Sequence, residues 1–132
     1  MKGFVIEAAN RPGELARVAS VMGSRHINIA WCTGTAYGEY GAVGILTQDE
    51  PGARAALDEE GMTYHEVDVI TFNVPDRPGT LAETTRKLAD AGVNVQLLVP
   101  TGWSGNEMVM TAGVDDVGAA LQALDGYSAS EG

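Results

Sequence analysis

The chain of 132 residues carries 18 acidic against 8 basic side chains, a formal net charge of −10 with both histidines neutral. At 45% hydrophobic and 20% charged it can fill a packed core and lacks the composition of a disordered segment. Its few Lys and Arg are scattered, without the clustered run that a phosphate backbone or an anionic membrane requires, so neither nucleic-acid nor membrane binding is expected.

From the N-terminus, the alternation Phe4, Ile6, Ala8 predicts a half-buried strand, which Arg11-Pro12-Gly13 ends in a turn. From Glu14 the period changes, and Leu15, Val18, Ala19 and Met22 mark one face of a helix. Two strands follow, Ile27 to Tyr37 and Tyr40 to Thr47, joined by a turn at Gly38. Asp49-Glu50-Pro51 opens a second helix with carboxylates where the helix dipole favours them. Met62 to Val69 reads as a fourth strand with Val67 and Val69 apolar, before the pattern changes phase to Ile70, Phe72 and Val74.

The series then begins again. Leu81, Thr84, Thr85, Leu88 and Ala89 mark a helical face, and Gly92 suits a left-handed C-terminal cap whose counterpart in the first series is His26. A turn at Ser104-Gly105-Asn106 joins two more strands, and Asp115-Asp116 opens a helix buried through Val117, Ala120, Leu121 and Leu124. Ser128 to Gly132 is too small and polar for a convincing strand, so residues 127–132 are expected to form a flexible tail.

The recurrence is an internal repeat. At an offset of 66, half of the 132 residues, Asn10-Arg11-Pro12-Gly13-Glu14-Leu15-Ala16 falls on Asp76-Arg77-Pro78-Gly79-Thr80-Leu81-Ala82, and Ile27-Asn28-Ile29 on Val93-Asn94-Val95. Two domains are expected, 1–67 and 68–132. Each has the ferredoxin-like order βαββαβ, an α+β fold with an antiparallel sheet covered by helices on one face, and the second copy is expected to lack its last strand. Units this small bury little of their surface, so the copies are expected to pair side by side and the chain to form a homodimer.

A strand ending in Asp76-Arg77-Pro78-Gly79-Thr80-Leu81, a helix with Leu81 and Leu88-Ala89, and then Gly92-Val93-Asn94-Val95 resemble an ACT domain, a small regulatory ligand-binding module. Residues Val74 to Leu97 carry the resemblance most clearly, and Ala8 to Trp31 repeat it more loosely. The resemblance implies a tandem regulator that binds a metabolite, typically an amino acid, where two such domains meet. It implies contacts from Asn10, Arg11, Pro12, Gly13, Glu14 and Leu15 with Asn28, and from Asp76, Arg77, Pro78, Gly79, Thr80 and Leu81 with Asn94. It implies no catalytic residues and no cofactor.

The same positions have a physical logic of their own. Gly13 and Gly79 let a ligand approach the backbone, and the helix N-terminus beyond each offers unpaired N–H groups to a carboxylate. Asp76, and more weakly Asn10, can accept hydrogen bonds from an ammonium group, while Asn28 and Asn94 both donate and accept. Glu14 in the first helical turn would repel a ligand carboxylate where the neutral Thr80 would not, which favours the second loop. Against this stand plainer readings: Arg-Pro-Gly makes a good turn unaided, each Asn can bond neighbouring backbone, and Arg11 and Arg77 can be solvated charges.

No nucleophile with a base and no paired carboxylates suggest an enzyme. His65 with Glu66 and Asp68 is a weak metal pattern that reads more simply as a solvated strand face, so no metal is expected. Cys32 lacks a second thiol and falls in a strand expected to be half buried, where it reads as inert packing. Trp103, placed in a turn with Tyr37 as its counterpart, points to pairing at that end of the sheet. No apolar stretch reaches the roughly 20 residues of a membrane span and the first residues lack a signal-peptide layout, so a cytoplasmic setting is expected. The reading is a non-catalytic amino-acid sensor acting on a separate effector protein. The alternatives are a ligand-free assembly module and a small dimeric ferredoxin-like enzyme.

Overall fold

Two stretches of period-two apolar residues, each interrupted by a helix, return as two similar arrangements of strands. The computed structural model describes Met1–Gly132, and the chain divides into two compact units, Met1–Glu66 and Val67–Gly132. The first contains β1 (Lys2–Ala9), α1 (Glu14–Gly23), β2 (Trp31–Tyr37), β3 (Tyr40–Thr47), α2 (Glu50–Glu59) and the opening residues of β4 (Tyr64–Pro75). The second continues β4 and adds α3 (Thr80–Asp90), β5 (Val95–Ser104), β6 (Glu107–Val114), α4 (Val117–Ala123) and β7 (Ser130–Glu131).

In the first unit β3 lies between β1 and β2, antiparallel to both, with Phe4 opposite Ile45 and Ile6 opposite Val43. These four side chains face Val18, Val21 and Met22 of α1 and Ala53, Ala56 and Leu57 of α2 in one core, so both helices cover the same sheet face. The second unit repeats the plan, with β6 between β4 and β5 and a core of Ile70, Phe72, Met110 and Ala112 beneath Leu88, Ala120 and Leu124. Asp49 and Asp116 cap α2 and α4 by accepting the backbone N–H of Gly52 and Ala119, whereas the Asp115 carboxylate turns to the N–H of Asn94. No helix is long and apolar enough to cross a membrane.

Several expectations are corrected. The fourth strand and the first strand of the second repeat are one element, β4, because nothing between Val69 and Ile70 breaks the backbone. Its change of phase is real: Val67 and Val69 are buried, and so are Ile70, Phe72 and Val74 on the alternate face. The second repeat does have a last strand, and the tail is tied down. Ser130 and Glu131 pair with Thr71 and Ile70, the Gly132 N–H donates to the Val69 carbonyl at 2.9 Å, and the Asn73 N–H donates to the Tyr127 carbonyl at 2.8 Å. Backbone pairing of this kind needs no large side chains, which is why composition hid it.

The buried faces of the first helices are set by residues other than Leu15, Ala19, Leu81 and Ala89, which are exposed. Glu14, Val18, Val21 and Met22 are buried in α1, and Thr80, Thr84 and Leu88 in α3. Thr84 and Leu88 were on the expected face; the apolar period misled at the start of each helix, where Glu14 and Thr80 satisfy their polar atoms internally. Finally, β2 begins at Trp31 rather than Ile27, and its residues are largely exposed, Cys32 among them. Trp103 lies within β5 opposite Met108 rather than in the turn, and is 61% exposed.

Helix ends also follow the repeat. Gly92 closes α3 at φ 73°, and His26 adopts φ 57° at the matching place after α1. A residue with a Cβ pays for that backbone through steric crowding with the carbonyl. His26→Gly is therefore expected to stabilise the protein by about 0.5–1 kcal/mol in urea unfolding. In the first core, Tyr64 lies 6.0 Å from the Phe4 ring centroid and donates its hydroxyl proton to Asp58 at 2.7 Å. That bond, with burial adding to it, pushes the Tyr64 hydroxyl up to about 12 from 10.0. A raised value in the folded state means this contribution is intact below pH 10 and is lost as the pH climbs towards about 12. Unfolding of Tyr64→Phe measured across that window is expected to show a weaker alkaline fall than the parent.

Candidate functional site

Each strand-to-helix loop turns on a left-handed glycine. Gly13 sits at φ 93° and Gly79 at φ 91°, each the N-cap of its helix, and neither helix start carries a side-chain cap. In α3 the Thr80 N–H donates to the Arg77 carbonyl at 3.4 Å, and the remaining first-turn N–H groups of both helices are left for water or a ligand. A Cβ built on either glycine meets nothing within 4 Å, so the space beside both turns is open.

Beside each loop lies a cleft, and the two are copies of one another. The first, of about 400 Å³, is lined by Ala8, Ala9, Asn10, Arg11, Glu14, Leu15 and Ala42 together with small residues of β2 and β3. The second, of about 350 Å³, is lined at the matching positions by Val74, Pro75, Asp76, Arg77, Thr80, Leu81 and Met108, with Pro78, Gly79 and Met110. Both volumes fall within the range of small-molecule sites. Leu15 and Leu81, 53% and 46% exposed, stand at the cleft walls rather than in the cores.

The polar groups of the two loops differ in what they are already doing. In the first, the Asn10 side-chain amide donates to the Gly38 carbonyl at 2.8 Å. Arg11 and Arg17 donate through their Nε atoms to the two carboxylate oxygens of Glu14, at 2.8 and 3.0 Å. The Glu14 side chain is only 8% exposed. The hydrogen bond from Arg17, with Arg11 adding to it, holds the Glu14 carboxyl below its ordinary value against the opposing effect of desolvation. The repulsion expected from Glu14 thus loses its force, because two guanidiniums neutralise it.

In the second loop the Thr80 hydroxyl donates back to the Pro75 and Arg77 carbonyls, at 2.6 and 2.9 Å, and is buried. The side chains of Asp76 and Arg77 are exposed and have no hydrogen-bond or ion-pair partner within the protein. A free carboxylate and a free guanidinium therefore stand on neighbouring residues beside an uncapped helix start.

Asn28 and Asn94 do not join either cleft within their own unit. Each loop lies at the hairpin-turn end of its sheet, where the Asn10 N–H donates to the Glu39 carbonyl and the Asp76 N–H to the Asn106 carbonyl. Asn28 and Asn94 precede β2 and β5, at the other end. Their backbone is engaged there: the Asn28 carbonyl accepts from Thr47 Oγ1, and the Asn94 N–H donates to Asp115. Met108 and Met110 line the second cleft without having been singled out in the sequence. Arg17, which fixes Glu14, gave no signal beyond its i,i+3 spacing. Away from the clefts, Arg54 grips Glu66 through both carboxylate oxygens, and no group of three metal-ligating side chains converges.

Residues 69–99 match the family described as the ACT domain. No curated protein sequence matches the chain. Among solved structures, the chain is similar to a protein from Bacteroides thetaiotaomicron at 20% identity and a TM-score of 0.75, covering 98% of this chain and 91% of that one. It is also similar to the regulatory subunit of aspartate kinase from Thermus thermophilus, in its ligand-free form, at 17% identity and a TM-score of 0.65, over 96% and 91% of the two chains. The corresponding subunit from Thermus flavus is 16% identical with a TM-score of 0.67, over 93% and 89%. At these identities the likeness is one of fold.

The lowered Glu14 carboxyl has a measurable consequence. A value depressed in the folded state means its stabilisation is complete above the unfolded value near 4.5 and is lost as the pH falls through the folded one. Glu14→Gln is therefore expected to be less stable than the parent at pH 7, with the difference in melting temperature vanishing as melts are taken into the acid range below that value.

Proposed function

With an ACT domain in its second unit as the premise, we propose that this protein is a non-catalytic regulator that binds a free amino acid in the cleft beside Asp76–Leu81. The observation that carries the reading is the contrast between the loops. Asn10, Arg11 and Glu14 are consumed by bonds inside the protein, whereas Asp76 and Arg77 are free. A zwitterion has complementary ends: its ammonium suits the Asp76 carboxylate, and its carboxylate suits the Arg77 guanidinium and the N–H groups of Leu81 and Ala82 in the first turn of α3. Val74, Leu81, Met108 and Met110 form the apolar wall that would receive its side chain. Such a regulator acts in the cytoplasm through a separate effector protein, by binding one arrangement of that partnership better than another.

A second reading draws on a different observation. Leu15, Tyr37, Tyr40, Leu81 and Trp103 are large, apolar or aromatic, and exposed, which favours pairing of the chain with a second copy. In that reading the protein is an assembly module without a ligand.

Calorimetric melts of the purified chain against each of the twenty amino acids at millimolar concentration decide between them. A ligand at 100 times its Kd adds about 2.7 kcal/mol to stability, so a selective rise in Tm is expected. Asp76→Asn and Arg77→Gln should each abolish the rise. Flat melts together with a mass that depends on protein concentration would overturn the sensor and leave the assembly module.

A further inference from the structure

A third hollow, of about 520 Å³, lies in the first unit and adjoins its loop cleft, with which it shares Ala8, Ala9 and Gly41. Its walls include Arg17 on α1, Glu7 on β1, Glu39 and Tyr40 at the hairpin turn, and Gly61 and Thr63 leading into β4. The second unit shows what such a space accepts. There the Asn73 N–H donates to the Tyr127 carbonyl, as the Glu7 N–H at the matching strand position donates to the Thr63 carbonyl. Tyr127 therefore occupies the register that Thr63 occupies in the first unit. From that register its ring packs against the second core and its hydroxyl donates to Glu83 Oε1 at 2.6 Å. Glu83 is the repeat counterpart of Arg17. A phenol thus bridges strand and helix in one unit, while Thr63 is too short to do so in the other and the space stays open.

We infer that this hollow is a binding site for a small aromatic acid carrying a single negative charge, whose ring takes the place that Tyr127 fills in the second unit. The exchange of Glu83 for Arg17 reverses the polarity at the far end of the seat. Glu83 accepts a hydrogen bond from a hydroxyl, whereas Arg17 offers donors and so selects an acceptor, a carboxylate. Arg17 uses its Nε on Glu14 and keeps its terminal N–H groups, with 48% of the side chain exposed. Tyr40, 78% exposed, offers a ring face at the rim. Glu7 and Glu39 disfavour a second negative charge and can accept from a hydroxyl on the ring. The volume suits a ligand of this size. This site is separate from the zwitterion cleft and stands whether or not that cleft binds an amino acid.

The test uses the full chain and 4-hydroxyphenylacetate as the probe, with binding followed by amide chemical shifts and titration calorimetry. Saturable shifts confined to the neighbourhood of Arg17, Tyr40 and Gly61–Thr63 are expected. Thr63→Tyr should fill the seat as Tyr127 does, weakening the probe by about tenfold or more while the amide spectrum stays that of the folded protein. Arg17→Gln should weaken it by about tenfold and leave binding of 4-methylphenol, which lacks the carboxylate, within about twofold of the parent. This second variant keeps the test alive if Thr63→Tyr does not fold. Absence of shifts, shifts confined to Asp76–Leu81, or unchanged affinity in Arg17→Gln would each overturn the proposal.

Discussion

The left-handed backbone at Gly13 and Gly79 is the constraint on which the rest of each unit's open end depends. It turns the chain from strand into helix so abruptly that the next residue, Glu14 or Thr80, points into the protein, and the one after, Leu15 or Leu81, points out to the cleft. An inward polar side chain must be satisfied or it destabilises the fold. Two arginines do this for Glu14 and two backbone carbonyls for Thr80. The same geometry leaves no side chain in position to cap the helix, so a strand, a turn and an unsatisfied helix start are brought together beside an open space.

Much of this architecture was legible because it was written twice. A register of 66 residues that aligns turn, helix and following strand allowed each copy to be read with the help of the other, and β3, the two strand-to-helix turns and the left-handed position of Gly92 were all recoverable. What escaped was whatever departs from apolar periodicity. Thr80 and Glu14 are buried polar residues, and their neighbours Leu15 and Leu81 are exposed, so a count of hydrophobic positions starts each helical face one residue late. The last strand was hidden because Ser130 and Glu131 pair by backbone alone. Cys32 was misplaced because alternation in β2 does not reveal whether the edge strand is covered on either side.

The candidate loops were legible as positions, though not as chemistry. Sequence spacing shows that Asn10 and Asp76, or Arg11 and Arg77, stand at the same point of the repeat. It does not show that Asn10 is spent on the Gly38 carbonyl and Arg11 on Glu14, because the partners lie 28 and three residues away on a turn whose geometry only the fold defines. The duplicated scaffold has thus diverged where single side chains either close a local network or leave it open. A similar divergence separates the ends of the two units, where one repeat supplies Tyr127 and the other Thr63.

The placement of the tryptophans has an optical consequence. Neither Trp31 nor Trp103 belongs to a hydrophobic core, and they are 43% and 61% exposed. Their indoles already meet water in the folded state, so intrinsic emission changes little in wavelength when the chain unfolds and is a poor gauge of core melting. Anything that covers β2 or the end of β5 would instead dry an indole and shift its emission to the blue. The protein therefore carries a built-in reporter of surface coverage in each half, with spectral sensitivity directed outward rather than at its own interior.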